Sequence, residues 1–180
     1  VLHIADETDR SWFSGTMEQY EKASPALKPG NFVLSAYLGD NLPLALDAPY
    51  YVADNTTASI RAGQVTAVTL QCKVGNSMAS FAFADPDAAA TLLSQYIIES
   101  RVGSTTVSCT ANDRQHPYFS AGSTVDFYLK GSTATGNTVD YKFASIANAQ
   151  RQKNYKYTLQ LGGVQEGEAN LDTTVSTVVE

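Results

Sequence analysis

Apolar and polar residues alternate along most of the chain, and this period of two is typical of strands that bury one face. In residues 65–74, for example, Val68, Leu70, Cys72 and Val74 share one face, while threonine, glutamine and lysine occupy the other. Turn residues separate such segments at short intervals, which favours antiparallel sandwiches over a helical fold. The pattern predicts an all-β protein with strands in residues 1–4, 31–38, 65–74, 78–84, 96–102, 105–111, 125–130, 139–143 and 155–161.

The apolar side of each predicted strand indicates which side chains form the core. Cys72 and Cys109 lie on such sides beside valines, and neither has the spacing of a zinc ligand. A disulfide and two free thiols are both compatible with the sequence, and we expect two reduced, buried thiols. The predicted core comprises Val68, Leu70, Cys72, Phe81, Phe83, Val107, Phe127, Phe143, Tyr157 and Leu159.

One segment has the features that begin a helix. Asp85 is a suitable N-cap and Pro86 a suitable first helical residue, and alanines and leucines follow. We therefore predict one short helix, over residues 86–94. Residues 17–26 have some helical character, but Pro25 and Pro29 limit it.

The domain organisation is inferred from the Gly75-Asn76 step, which separates two strands. It is either a junction between domains or a bend within one long strand, and we favour the junction. This interpretation gives an N-terminal β-sandwich over residues 1–75 and a C-terminal β-sandwich over residues 76–162. Residues 163–180 form a polar tail whose end, Thr173–Val179, is again typical of a strand.

Charge and composition narrow the class of protein. Only 17% of the 180 residues are charged, and the formal net charge is -6 with a pI near 4.8. An acidic surface repels phosphate groups, so we expect no nucleic-acid partner and no binding to an anionic membrane surface. No apolar stretch is long enough to span a bilayer, and the sequence shows no signal peptide at its start.

The sequence contains no recognisable motif for catalysis, metal binding or nucleotide binding. His3 and His116 lie outside any metal-binding spacing, and the acidic residues at positions 6–9 lack the alternation of a calcium loop. Nucleophile-elbow, phosphate-loop and dinucleotide motifs do not occur either. We therefore expect no enzyme activity, no cofactor and no metal.

Four aromatic residues are candidates for facing a ligand. Most aromatic side chains fall on predicted core faces, whereas Trp12, Phe13, Tyr50 and Tyr51 fall in loops or turn-rich segments. Aromatic rings stack on sugars, so these four residues are the candidate platform for a glycan.

Several segments together resemble fimbrillin-like surface lipoproteins of Bacteroides-type gut bacteria. Residues 27–36 (LKPGNFVLSA) resemble their opening strand, and residues 48–51 (APYY) resemble their Pro-Tyr-Tyr segment. Residues 62–74 (AGQVTAVTLQCKV) resemble a Cys-containing strand, and residues 117–119 and 154–159 follow in the same order. The resemblance extends over residues 27–161.

The resemblance implies a pair of transthyretin-like or fimbrillin-like β-sandwiches, export, and display on the outer membrane or cell surface. It implies no catalytic residues, and it allows membrane association only through a lipid anchor that is absent from this chain. Asp172-Thr173-Thr174 also resembles the O-glycosylation signal of such bacteria, which makes Thr173 a candidate modification site.

Two functional hypotheses follow. In the first, the chain is a non-catalytic fimbrial or adhesin subunit that joins other surface or fimbrial subunits by pairing β-strands. In the second, it is a monomeric surface lipoprotein that binds a glycan or host ligand. For the isolated protein we expect the tail strand Thr173–Val179 to pair within its own molecule, since closing a short loop costs little entropy.

Overall fold

The structure, a computed structural model, describes residues 1–162 and 173–179. Strands dominate these residues and form three sheets, so the predicted all-β fold is confirmed. The elements in chain order are β1 (Leu2–Asp6), β2 (Ser11–Gly15), α1 (Met17–Ala23), β3 (Gly30–Leu38), β4 (Leu44–Leu46), β5 (Tyr51–Ala53), β6 (Thr56–Ile60), β7 (Cys72–Val74), β8 (Asn76–Phe83), α2 (Pro86–Leu92), β9 (Leu93–Val102), β10 (Thr105–Cys109), β11 (Pro117–Ser120), β12 (Val125–Thr133), β13 (Thr138–Ile146), β14 (Asn154–Leu161) and β15 (Thr173–Val179).

The chain divides into two compact units. Unit 1 comprises residues 1–40 and 50–74, and unit 2 comprises residues 41–49 and the chain from residue 75 onward. Strand β4 precedes residue 75 in the sequence but pairs with β11, which belongs to unit 2. Strand pairing therefore does not follow chain order at this point.

Unit 1 contains one sheet in the order β2-β1-β3-β5-β7, and β6 also pairs with β3. Its fully buried apolar cluster is small and consists of Leu2, Ile4 and Phe32. Partly buried side chains pack around this cluster, including Trp12 and Phe13. Few fully buried side chains therefore stabilise the sheet.

Helix α1 is a second helix, beyond the one that the sequence predicts. Thr16 accepts a hydrogen bond from the backbone of Gln19, whose side chain in turn accepts one from the backbone of Thr16. This capping box fixes the first turn, and Ser24 ends the helix in the left-handed conformation at φ 40°. The prolines that follow limit the length of the helix and do not prevent it.

The strand predicted over residues 65–74 is wrong for most of its length. Only β7, Cys72–Val74, is a strand, and residues 65–71 are irregular. Val68 is 37% exposed, Leu70 is half-buried and Cys72 is exposed, so none of the three is a core residue as predicted. Apolar residues alternate with polar ones as in a strand, but no neighbouring strand in the described chain pairs with the segment before residue 72.

Unit 2 is a sandwich of two sheets, in the orders β10-β9-β12-β13 and β15-β14-β8-β11-β4. Within the described residues its pairs are antiparallel except for β8 and β14, which are parallel. Predicted core residues that are buried here are Phe81, Phe83, Phe127, Tyr157 and Leu159. Val107 and Phe143 only pack partly buried against this core, which corrects the prediction for these two side chains.

The end of the described chain completes the second of these sheets. β15 pairs antiparallel with β14 in continuous register, from Leu161 opposite Thr173 to Tyr155 opposite Val179. The expectation that this strand pairs within its own molecule is confirmed. The polar part of the tail, residues 163–172, lies outside the described residues.

Candidate interaction surfaces

Trp12 and Phe13 lie at a β-bulge between β1 and β2. Ile4 is opposite Phe13 and Ala5 is opposite Ser11, so Trp12 is the extra residue of the bulge. The bulge places both rings against the apolar cluster of unit 1. Trp12 packs edge-on against Phe32 at 6.0 Å between ring centroids, and Phe13 packs against a tyrosine of α1 at 5.1 Å.

Polar contacts hold Trp12 in place as well. The indole Nε1 donates a hydrogen bond of 3.0 Å to the Asp6 carboxylate, and the Arg10 guanidinium lies 5.1 Å from the ring centroid. The hydroxyl of Thr8 donates to the same carboxylate at 2.6 Å. The hydrogen bonds from Thr8 and Trp12 lower the pKa of Asp6 well below its ordinary value. Asp6 therefore organises the turn that carries Trp12.

Tyr50 and Tyr51 lie at another part of unit 1, together with two residues that the sequence did not single out. Tyr51 is 36% exposed, Tyr37 is 40% exposed and Leu38 is 68% exposed. Tyr50 is half-buried, with its ring centroid 6.3 Å from that of Tyr37. Leu38 is paired directly with Tyr51 across β3 and β5. Successive strand residues point to opposite faces, so Leu38 and Tyr51 share one face of the sheet, and Tyr37, whose ring contacts Tyr50, lies on the other. We call these four residues, on the two faces, the aromatic patch.

A groove of about 230 Å³ lies over the apolar face of the unit 1 sheet. β1, β3 and β6 form its floor, and α1 and residues 65–71 contribute further walls. Among its lining side chains, Tyr20 and Thr66 carry hydroxyls, and the surface is mostly apolar. The groove is lined by Leu2, Ile4, Met17, Tyr20, Leu27, Phe32, Leu34, Ala58, Ile60, Thr66, Val68 and Leu70.

The outer edge of β15 differs from the other sheet edges of unit 2. Natural edge strands are usually short, charged or interrupted by proline, because an open edge pairs with other chains. β4 has three residues, β10 has five, and β13 carries Asp140 and Lys142. β15 has seven residues without charge or proline, and its pairing with β14 shows no bulge. Val178 is 55% exposed.

The outer face of the four-stranded sheet in unit 2 is, in contrast, charged. Glu99 forms ion pairs with Arg101 at 2.7 Å and with Lys130 at 3.1 Å. Desolvation raises the pKa of Glu99, but hydrogen bonds from these two cations outweigh it, and the net shift is downward. Arg101 also lies 4.6 Å from the ring centroid of Tyr128. Ion-paired charges dominate this face, although Ile97 on the same side of β9 is 41% exposed.

The two cysteines are free, as predicted, and belong to different units. Cys109 is buried, and burial raises the pKa of its thiol to about 11. Cys72 is exposed, contrary to the prediction. Among residues 1–162 and 173–179 there is no group of three metal-binding side chains. The backbone of Thr173 begins β15, and its side chain lies outside what the structure describes.

The described residues thus define an all-β protein of two units that presents an open strand edge, an apolar groove and a patch of exposed aromatic side chains. No helix in the described part of the chain has the length and apolarity needed to cross a bilayer. The chain belongs to the family described as a domain of unknown function, DUF4493, whose sequence profile matches residues 2–180.

Two solved structures with a similar backbone fold are of proteins from Bacteroides. A candidate cell adhesion protein of Bacteroides uniformis ATCC 8492 has 10% identity and a TM-score of 0.48, over 84% of this chain and 73% of that one. A candidate cell adhesion protein of Bacteroides fragilis NCTC 9343 has 10% identity and a TM-score of 0.45, over 98% of this chain and 83% of that one. No curated protein matches the sequence.

Proposed function

We propose that this chain is a non-catalytic protein of the cell surface, a fimbrial or adhesin subunit that assembles with other surface subunits by pairing β-strands. It would be an exported protein of fimbrillin-like type, held at the outer membrane by a lipid anchor. The observation that carries the proposal is the outer edge of β15, which pairs with no other strand among residues 1–162 and 173–179.

The edge has the properties that strand pairing requires. Its register with β14 is continuous over seven residue pairs. The N–H and C=O groups on its outer side therefore lie in one regular row. No charge or proline blocks an incoming strand. A neighbour can either add a strand to this edge or exchange its own β15 for this one, since exchange re-forms the same pairs with β14.

The test compares the wild-type chain with a variant that charges this edge. Val178→Glu places a carboxylate on an exposed side chain opposite Lys156, where it is tolerated in the monomer. Leu38→Glu adds the same charge at an exposed position in unit 1 and serves as the matched control. Light scattering over a range of protein concentrations measures polymer formation.

We expect Val178→Glu to suppress polymers without lowering the urea midpoint of unfolding, and Leu38→Glu to leave polymers unchanged. Deletion of residues 171–180 should both destabilise the protein and abolish polymers. Polymer formation that persists in the deletion and in Val178→Glu contradicts strand pairing at β15. A wild-type chain that is monomeric at every concentration also contradicts it.

The aromatic patch favours a second candidate function, a monomeric surface lipoprotein that binds a glycan or host ligand. Two of its side chains, Leu38 and Tyr51, lie side by side on one face and are 68% and 36% exposed, and adjacent exposed apolar side chains form a candidate contact surface. Screening on a glycan array tests this function. Binding that is lost in Tyr51→Ala and retained in Phe13→Leu supports the patch as the site, and equal binding by both variants argues against it.

A further inference from the structure

Residues 65–71 have the side-chain arrangement of a strand without the backbone pairing of one. Thr66, Val68 and Leu70 line the groove of unit 1, whereas Val65, which directly precedes them, is 99% exposed. Alternate side chains therefore point to opposite sides, as they do in a strand. The chain arrives from β6 through a turn closed by the Gln64 N–H and the Arg61 carbonyl.

The backbone of this segment is not paired by the rest of the described chain. Within residues 1–162 and 173–179, no backbone group donates to or accepts from the backbone of residues 65–71. The ladder resumes only at Cys72, which is opposite Ala53. The hydroxyl of Thr66 donates to the Ser59 carbonyl and fixes where the segment starts. A row of N–H and C=O groups spaced like those of a strand is thus left for another backbone.

The groove determines which side chains such a backbone must carry. Its surface is mostly apolar, and it is open, because Val68 is 37% exposed and Met17 at its rim is 58% exposed. Residues 62–71 contain no ionisable side chain that could pair with a charge on the ligand. An occupant therefore needs apolar side chains on the face that meets the groove, and a charge there would be desolvated without compensation.

We propose that unit 1 binds an extended, uncharged peptide strand with apolar side chains at alternate positions. The strand pairs with residues 65–71 and covers the groove, so that the segment becomes part of a second sheet over the existing one. This site is separate from the β15 edge: it lies in unit 1, and it accepts a strand whether or not β15 pairs with a neighbour.

The probe is a synthetic peptide, blocked at both ends, with the sequence of residues 173–179 (TTVSTVV). It is uncharged and rich in β-branched residues, which favour the extended conformation. The control peptide has proline at its third and fifth positions, which removes two backbone donors. Hydrogen exchange of the full chain is followed by mass spectrometry with each peptide. We expect the first peptide to slow exchange in residues 65–71 at least about tenfold and the control to leave it unchanged.

A pair of variants locates the site. Val68→Asp charges a side chain that faces the groove, and Ala67→Asp charges its neighbour, which does not line the groove. Val68→Asp should weaken peptide binding at least about tenfold, and Ala67→Asp should change it less than about twofold. Emission of Trp12, the single tryptophan, reports whether unit 1 is folded in each variant. If Val68→Asp unfolds the unit, Val68→Thr replaces it, with weaker binding again expected.

Three results would overturn the proposal. One is equal binding of the proline peptide, which would exclude backbone pairing. Another is protection by the first peptide that is confined to β14, which would mean that the peptide only replaces β15. The third is equal binding by folded Val68 and Ala67 variants, which would place the peptide away from the groove.

Discussion

Phe127 lies in the middle of the aromatic cluster of unit 2, and replacing it with alanine tests the description of that core. Its side chain is fully buried on β12. The ring centroids of Tyr157 and Phe81 are 5.1 Å and 5.3 Å away, and those of Phe143 and Phe119 are 6.2 Å and 6.4 Å away. The cluster joins the two sheets of the sandwich, so the substitution removes ring contacts that Phe127 makes with both sheets.

The expected loss follows from the size of the cavity. Replacing a buried phenylalanine by alanine costs about 3–5 kcal/mol, from lost transfer free energy and from the cavity that remains. Four ring contacts hold the surroundings in place, so the cavity collapses little and the loss lies in the upper half of that range. With a urea m-value of about 2 kcal/mol/M, a loss of about 4 kcal/mol lowers the unfolding midpoint by about 2 M.

Urea unfolding followed by far-ultraviolet circular dichroism measures this loss, because the strands of unit 2 contribute to the signal. The matched control is Tyr128→Ala at the neighbouring position, which removes a half-buried ring on the outer face together with its contact to Arg101. That control should cost about 1 kcal/mol. A loss below about 1 kcal/mol for Phe127→Ala, or an equal loss for both variants, would refute the assignment of Phe127 to the core.

Two further predictions concern unit 2 and the cysteines. Gly131→Ala should destabilise the protein by about 1–3 kcal/mol in the same urea assay, because the new Cβ would lie 2.1 Å from the Gln95 carbonyl oxygen; unchanged stability would mean that the two strands are not so close. Alkylation of the native protein near neutral pH should modify Cys72 and spare Cys109, whose thiol is buried and has a pKa of about 11. Mass spectrometry gives the result, and a mass lower by two hydrogens before alkylation would indicate a disulfide instead.

The strands of unit 2 could be predicted from the sequence because both sheets bury one face and expose the other. Phe127 on β12 and Leu159 on β14 lie on inner strands of their sheets and are fully buried as predicted. Val107 on β10 and Phe143 on β13 have the same pattern but lie on edge strands. One flank of each edge side chain has no neighbouring strand, which explains why these two are only partly buried.

The wrong strand prediction in unit 1 has a different physical cause. Periodicity shows that a segment can form a strand, but it does not name the partner that supplies the hydrogen bonds. Residues 65–71 have the period and no partner, and Cys72 is on the three-residue outer strand β7 and is therefore exposed. Helix α1 could have been predicted from the sequence, because Thr16 and Gln19 have the spacing of a capping box.

The candidate surface residues illustrate the same limit. The sequence places Trp12 and Phe13 in a polar loop, yet a bulge holds both against the cluster around Phe32. The sequence predicts Tyr37 and Leu38 to lie in an ordinary strand, yet they are 40% and 68% exposed. Which face of a short strand is covered depends on elements distant in sequence, and the strand itself carries little information about them.

The two surfaces proposed to pair with a strand lie in different units, and they differ in whether a partner strand is already present. Their tests are therefore independent. β15 already has a partner in β14, so a neighbour can use only its outer edge or displace it. Residues 65–71 have no backbone partner within the described chain, so a ligand there displaces nothing. A charge at Val178 should therefore affect polymers and leave peptide protection in unit 1 intact. A charge at Val68 should remove that protection whether or not the chain polymerises, and loss of both in either variant would mean that polymer formation and peptide binding are not independent.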